Sequence, residues 1–449
     1  MLFMKKKIVY KNTHDSYNLI SLRALGVVFF LGFFSIAFSQ VLTVETCQEK
    51  ARANYPLVKQ YGLIEKTVQY NIDNANKGYL PQLTLSAKAT YQSDVTQIPA
   101  SLGGALSEAL KRPFSFSSLA KDQYQAVLDA SQLIWDGGVI SSQNKITKAS
   151  SEVEKQKIEV DLYALNDRIN QLYFGVLLLN EQSRQIDILK NDLEINYNRV
   201  NAYKQNGIAY QADLDVIKVE QLNANQRTSD LNNTRRTYCI LLSALTGMEI
   251  NDKTEFKKPD LDFSLLKDSN NNRPEIALFD AQNKMFENQK SLILSANKPR
   301  IGAFVQGGYG QPGLNMFTTG FSAFYIGGVR LSWNLSNFYT QKDNLNKIDV
   351  SRKMVDIQKE TFLFNNNLAS KQQLNEIEKL RTAIANDEEI IRLRQNIKKT
   401  TGAKYENGIA SVNDLIRDLN AENQAKQSKS LHEVQLIMIV YQLKNNQNI

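Results

Sequence analysis

Phe321-Ser-Ala-Phe-Tyr-Ile-Gly-Gly-Val-Arg-Leu-Ser-Trp-Asn-Leu335 is the stretch that decides the fold. Phe321, Ala323, Tyr325, Gly327, Val329, Leu331, Trp333 and Leu335 share one parity, and Ser322, Arg330, Ser332 and Asn334 fall on the other. Period two over this length predicts a strand with one apolar and one wetter face. An earlier stretch has the same pattern, with Leu83, Leu85, Ala87, Ala89 and Tyr91 against Thr84, Ser86, Lys88, Thr90 and Gln92. Weaker alternation near 123–135 and 300–310 is compatible with two further strands, four in all.

Four strands cannot close a barrel. An open sheet in lipid leaves unpaired backbone groups along its edges, each costing several kcal/mol. The strands therefore pack in water against something apolar, or several chains pool them. Two chains would supply eight strands, the smallest membrane barrel, and three would supply twelve; arithmetic alone leaves both open. A soluble sandwich leaves unexplained why the strands return into very long helices, and why the sheet is rich in Tyr and Phe.

Those helices have a different period. Leu165, Leu172, Leu179, Ile186, Leu193 and Val200 are each seven apart, with Leu162, Ile169 and Val176 in the companion position. This heptad seam predicts coiled-coil packing. A helix from Val139 to Gln205 spans ~100 Å at 1.5 Å per residue. Asn206-Gly207 and Asn407-Gly408 suit helix ends, where Gly adopts the left-handed conformation, and Ser411 is placed to cap the next helix. The spacing predicts two helical hairpins of about that full length.

The chain also repeats itself. Asn54-Tyr-Pro56 recurs as Asn272-Arg-Pro274 and Pro81 as Pro299, both 218 residues on. Trp135 recurs as Trp333 after 198, while Gly207 recurs as Gly408 and Asp213-Leu214 as Asp414-Leu415 after 201. Constant offsets with jumps between elements indicate a duplicated unit with loops of different length. The division is a leader at 1–40, a first repeat at 41–247, a linker at 248–271 and a second repeat at 272–449. The first repeat holds strands near 79–95 and 123–136 and a hairpin tip near 207. The second holds strands near 299–310 and 321–336 and a tip near 408.

Composition narrows the chemistry. The 449 residues include only 2 histidines, His14 and His432, and 2 cysteines, Cys47 and Cys239, with no CxxC or metal-ligand spacing. With His14 in the leader and only His432 beyond it, a histidine-based metal site or a His-assisted nucleophile with a second histidine is excluded, and the acids are scattered without a paired cleft, so an enzyme is not expected. The two thiols are expected to be free, a single disulfide being the other reading. Lys5, Lys6, Lys7, Lys11 and Arg23 precede the apolar run Ala24 to Phe38, which is short for a membrane span and reads as a secretory signal. Of the net charge of +8, the leader holds five positive charges and Asp15, so residues 41–449 carry about +4, spread along helices instead of clustered with aromatics, which excludes a nucleic-acid interface. Beyond residue 40 no apolar run of membrane length occurs, so any membrane entry is by strands.

Taken in order, the motifs resemble those of the TolC-like outer membrane efflux proteins over essentially all of the chain after the leader. They are Leu42-Thr-Val-Glu45 with Ala51 to Pro56, Leu80-Pro-Gln-Leu-Thr-Leu-Ser86, and Trp135-Asp-Gly-Gly138. The turn motifs are Tyr203-Lys-Gln-Asn-Gly207 to Asp213-Leu-Asp-Val216 and Tyr405-Glu-Asn-Gly408 to Asp414-Leu415. The resemblance implies an α+β membrane protein: a homotrimer whose 12-stranded transmembrane β-barrel, four strands per chain, continues into a long periplasmic α-helical coiled-coil barrel. It implies the exit duct of a tripartite efflux or type I secretion system in the outer membrane. The implied partners are a periplasmic adaptor, through it an inner-membrane pump, and outer membrane lipid, with no cofactor.

The resemblance also assigns residues. In relatives, acids six positions after each tip glycine narrow the periplasmic mouth; the matching positions are Asp213 and Asp414. A Tyr before the second tip helps tie the helices shut and matches Tyr405, whereas the family's Arg after that tip is replaced by Ala410. A further acid of the constriction aligns with Arg417, beside Asp418, so Asp414 and Arg417 are placed to pair. The tips Gly207, Ile208, Ala209, Gly408, Ile409 and Ala410 are the expected adaptor contacts. Trp135 and Trp333 are expected at the periplasmic membrane interface, packing at a strand–helix junction being the plainer reading. The rival function is a coiled-coil scaffold or adhesin stalk of the cell envelope, which predicts no barrel.

Overall fold

The computed structural model describes residues 41–97, 99–113, 119–261, 272–315 and 318–448. The leader expected at 1–40 lies outside the described residues, as do 262–271 of the linker and residues 98, 114–118 and 316–317 between the strands. The first half runs α1 (Val44–Asn54), α2 (Gln60–Asn76), β1 (Gln82–Tyr91), α3 (Ala100–Leu110), β2 (Asp122–Trp135), α4 (Val139–Gln205) and α5 (Gln211–Thr246). The second runs α6 (Pro274–Ala296), β3 (Arg300–Gln311), β4 (Ser322–Ser332), α7 (Asn337–Glu406) and α8 (Val412–Gln447). With α1 and α3 set aside, both halves follow one order: helix, two strands, very long helix, shorter helix.

The heptad seam of α4 is where the core lies. Leu162, Leu165, Ile169, Val176, Leu179, Ile186, Leu193 and Val200 are all buried, because a seven-residue repeat keeps one stripe facing its partners along the whole helix. Toward the tips, Ile186, Leu193 and Val200 pack with Leu214 and Ile217 of α5 and Val412, Ile416 and Leu419 of α8. At mid-length, Tyr173 and Phe174 join Cys47 of α1, Cys239 of α5, and Ile437 and Tyr441 of α8. Both cysteines are free and buried, and burial pushes the Cys47 thiol up to about 12. The described part of the linker closes this waist: Leu42 N–H donates to Glu255 at 2.8 Å, Lys257 N–H donates to Leu42 at 2.9 Å, and the Tyr173 hydroxyl donates to the Leu42 carbonyl at 2.6 Å.

The hairpins are shorter than expected. α4 has 67 residues and α7 has 70, but their return helices α5 and α8 have 36 each. The strand-side half of each long helix is completed by other helices. Lys155 of α4 pairs with Glu65 of α2 at 2.8 Å, and Ser142 of α4 meets Ser295 of α6 at 3.1 Å. Lys359 and Asp356 of α7 bond Asp280 and Asn283 of α6 at 2.7 and 2.8 Å. The sequence period shows how long a helix is; it does not say how many partners share its length.

The sheet is antiparallel in the order β1-β2-β3-β4, so β1 and β4 are its edges. Register aligns Leu85 with Leu128, Leu128 with Gly307, Ala130 with Val305, and Val305 with Gly327 and Gly307 with Tyr325. One face is therefore apolar across all four strands. A register shift between Leu133 and Trp135 sets Leu133 opposite Gly302 but Trp135 opposite Ile301. Strict alternation would leave Trp135 on the polar face with Asp129 and Ser131; the bulge moves it to the apolar one.

Candidate functional site

At each hairpin tip a glycine in the left-handed region turns the chain, Gly207 with φ +74° and Gly408 with φ +71°. Ile208 N–H donates back to Tyr203 at 2.9 Å and Ile409 N–H to Lys404 at 2.8 Å, which closes the helix ends. The apolar tip residues then point outward, Ile208 at 71% and Ile409 at 74% exposure.

The acids after the tips act first as caps. Asp213 accepts from the Tyr210 backbone N–H at 2.9 Å. Asp414 accepts from the Ser411 N–H at 3.1 Å and from its hydroxyl at 2.8 Å, while Ser411 Oγ accepts the Asp414 N–H at 3.1 Å. These bonds from Ser411, followed by Arg417, hold the Asp414 carboxyl below the usual range. Arg417 donates to Asp414 at 2.9 Å and to Asp418 at 3.3 Å. Asp418 in turn accepts the Thr401 hydroxyl at 2.6 Å, tying α8 to α7. Asp414 and Arg417 thus pair within one chain. Tyr405 lies beside Tyr203, ring centroids 5.9 Å apart and planes tilted by 41°; burial, then the Asp213 charge, raises its hydroxyl pKa. Tyr405 packs against the apolar cluster of Leu214, Ile217 and Val412 where the two hairpins meet.

Sequence reasoning missed the other links between the hairpins. Arg199 of α4 pairs with Glu406 of α7 at 2.9 Å. Lys398 of α7 meets Asp192 of α4 at 3.1 Å and buried Glu422 of α8 at 2.5 Å, and Lys426 adds a second contact to Glu422 at 2.7 Å. Burial alone would raise the Glu422 pKa, but the hydrogen bonds from Lys398 and Lys426 outweigh it and the carboxyl lies below its ordinary range. Glu422 and Lys426 were legible as an i,i+4 pair. Nothing in the sequence marks Lys398 as their partner, since it depends on which faces of three helices meet.

At the opposite end, the apolar face of the sheet has no cover among the described residues. Leu85 is 77% exposed, Tyr325 81% and Val329 72%. Trp135 and Trp333 lie at the helix-proximal ends of β2 and β4, both exposed; the Trp333 indole N–H donates to the Asn297 carbonyl at 2.9 Å. β2 joins α4 through Asp136-Gly-Gly138, where buried Asp136 accepts the Gly138 N–H at 2.8 Å, the Ile140 N–H at 2.5 Å and the Tyr79 hydroxyl at 3.1 Å. No described helix is long and apolar enough to cross a membrane. Among the described residues no cluster of His, Cys, Asp or Glu suits a metal ion.

Comparison with known proteins agrees with this geometry. Residues 48–248 match the family model described as outer membrane efflux protein. No curated protein matches the chain. The fold is similar to that of the outer membrane protein VceC from Vibrio cholerae, with 12% identity, 90% of this chain and 95% of that one covered, and TM-score 0.63. It is also similar to the CmeC outer membrane channel of Campylobacter jejuni, with 12% identity, 90% and 85% covered, and TM-score 0.59. The open MtrE outer membrane channel of Neisseria gonorrhoeae gives 14% identity, 90% and 88% covered, and TM-score 0.60. At such identities the structural likeness is one of fold. With the family match, it bears out the resemblance to TolC-like outer membrane efflux proteins that the ordered motifs carry.

Proposed function

We propose that three copies of this chain form an outer membrane exit duct, a passive conduit serving a periplasmic adaptor and an inner-membrane pump. The observation that carries this reading is the sheet: four strands, an exposed apolar face and two unpaired edges. In lipid, β4 of one copy must pair with β1 of the next, and closure by three copies makes a twelve-stranded barrel with the apolar face outward. Trp135, turned to that face by its bulge, then sits at the strand end with Trp333, a level at which aromatic girdles occur. The two halves of the chain are copies of one unit, so the assembly is built from six similar pieces.

The hairpin tips form the far mouth of the duct. Tyr405 and Asp213, with the Asp414–Arg417 pair behind, narrow it, and the exposed Ile208 and Ile409 beside Gly207, Ala209, Gly408 and Ala410 meet the adaptor. A coiled-coil stalk is disfavoured because it gives the apolar sheet face nothing to cover it. The test is the mass of the detergent-extracted protein, with conductance after reconstitution. The expected result is a three-chain particle that opens discrete conductance steps in planar bilayers. A single chain that stays in aqueous solution without detergent overturns the reading.

A further inference from the structure

The face of the sheet turned away from the proposed lipid side carries an uncompensated charge pattern. Its residues by register are Gln82, Thr84, Ser86, Lys88 and Thr90 of β1, paired with Ser131, Asp129, Val127, Gln125 and Gln123 of β2. On β3 and β4, Arg300 lies opposite Ser332, Gly302 opposite Arg330, and Phe304 opposite Gly328. Arg300 and Arg330 are thus diagonal neighbours on one face, within reach of a common ligand, and Gly302 puts no side chain between them. Both are exposed, and neither has an acid partner among the described residues.

The site is built in layers. A Cβ on Gly328 would meet the Phe304 ring at 3.3 Å and one on Gly308 the Phe324 ring at 2.3 Å, so both rings lie flat against the backbone. The Arg330 guanidinium rests on the Phe304 ring, 4.8 Å from its centroid. Stacking leaves the planar fork of N–H donors free to bond sideways, the geometry that matches carboxylate and phosphate oxygens. A groove of about 220 Å³ opens beside it, lined by Gln82, Ser131, Gln132, Arg300, Phe304 and Arg330.

Neighbouring groups do not cancel the charge. The carboxylate on this face, Asp129, pairs in register with Gln306, four residues along β3 from the Gly302 that faces Arg330. That is roughly 13 Å at the strand rise, beyond effective screening range in physiological salt. Asp136 is buried and occupied by its own three donors. In the closed barrel β4 meets the next copy's β1, whose polar face holds Lys88 and no acid.

We infer that Arg300 and Arg330 form a cationic belt at the helix-proximal end of the barrel, which attracts and passes solutes bearing carboxylate or phosphate groups. The inference rests on the duct reading, in which three copies bring six guanidinium groups to one level of the lumen. A lumen ring of one sign concentrates counter-ions, so the duct's exported class is anionic.

The test uses the full-length protein in planar bilayers under a KCl gradient, with citrate and pyrophosphate as probes added from the barrel side. R300Q/R330Q is expected to conduct, to shift permeability toward K⁺, and to weaken block by both probes about tenfold. R300K/R330K, which keeps the charge, is expected to keep the permeability ratio. Should the double glutamine variant fail to assemble, R330Q alone is expected to shift in the same direction. A conducting glutamine variant with unchanged permeability and block overturns the belt and leaves the duct standing. A wild-type protein that opens no conductance overturns the duct, and the belt with it.

Discussion

α4 and α7 hold the same place in their halves and have nearly the same length, yet they treat apolar residues in opposite ways. α4 buries 18 residues along its course; α7 buries only Val355, Ile377, Leu380 and Asp387. α7 is somewhat more polar, but it does not lack an apolar seam. Val350, Ile357 and Phe364 on α7 are seven apart, with Met354 and Leu368 in the companion register, and all five are exposed. A seam of this kind is made for a partner helix. α4 finds its partners inside the chain, on α1, α2, α5, α6 and α8, whereas α7 packs along α6 and α8 and meets α4 through ion pairs near the tips. The helix with the uncovered seam follows directly from β4, an uncovered sheet edge. The open seam of α7 and the β4 edge thus mark one surface that a second copy would cover.

That contrast can be broken in three ways. The largest expected effect comes from charging the open seam: Ile357→Asp with Phe364→Asp should abolish the multi-chain particle in detergent while the single chain keeps its helical circular dichroism. If the particle persists, α7 is not a contact between copies. The closed seam should answer differently. Phe174→Ala removes a fully buried ring and should cost the chain itself about 3–5 kcal/mol, read as a lowered denaturant midpoint even under monomeric conditions. Equal losses from both substitutions would erase the distinction between the two helices.

The smallest effect sharpens the comparison where α4 and α7 touch. The depressed folded pKa of Glu422 means that its contribution is full above its ordinary value of 4.5 and drains away as pH falls through the folded value. Hydrogen-exchange protection near Leu193 and Leu419, taken relative to the intrinsic rate at each pH, should therefore fall in acid below that point. Lys398→Met should reproduce the loosening at neutral pH, at about 2 kcal/mol, leaving exchange at the sheet unchanged.

Much of this architecture is legible in the chain itself, for reasons that differ by element. The seam from Leu162 to Val200 can be read because burial on a helix has a period, and parity gives the sheet faces for the same reason. Trp135 shows the limit: parity puts it on the wrong face, since a bulge is a local backbone event without a residue signature at Leu133-Ile-Trp135. α3 was not expected either, because Gly103-Gly104 argue against a helix at Ala100–Leu110. The capping acids Asp213 and Asp414 were placed by the glycine before them, a local signal. Lys398 with Asp192 and Glu422 was not, because three distant stretches must first be docked before the pair exists.

The junction at Asp136 has a mechanical consequence. With one carboxylate clamping the start of a 67-residue helix to the strand before it, β2 and α4 form a single strut. A push at the far end travels along this shaft instead of being absorbed by a swivel. In the proposed duct, widening the mouth would then bend the shafts along their length, while their anchored ends stay still and the barrel wall keeps its seal.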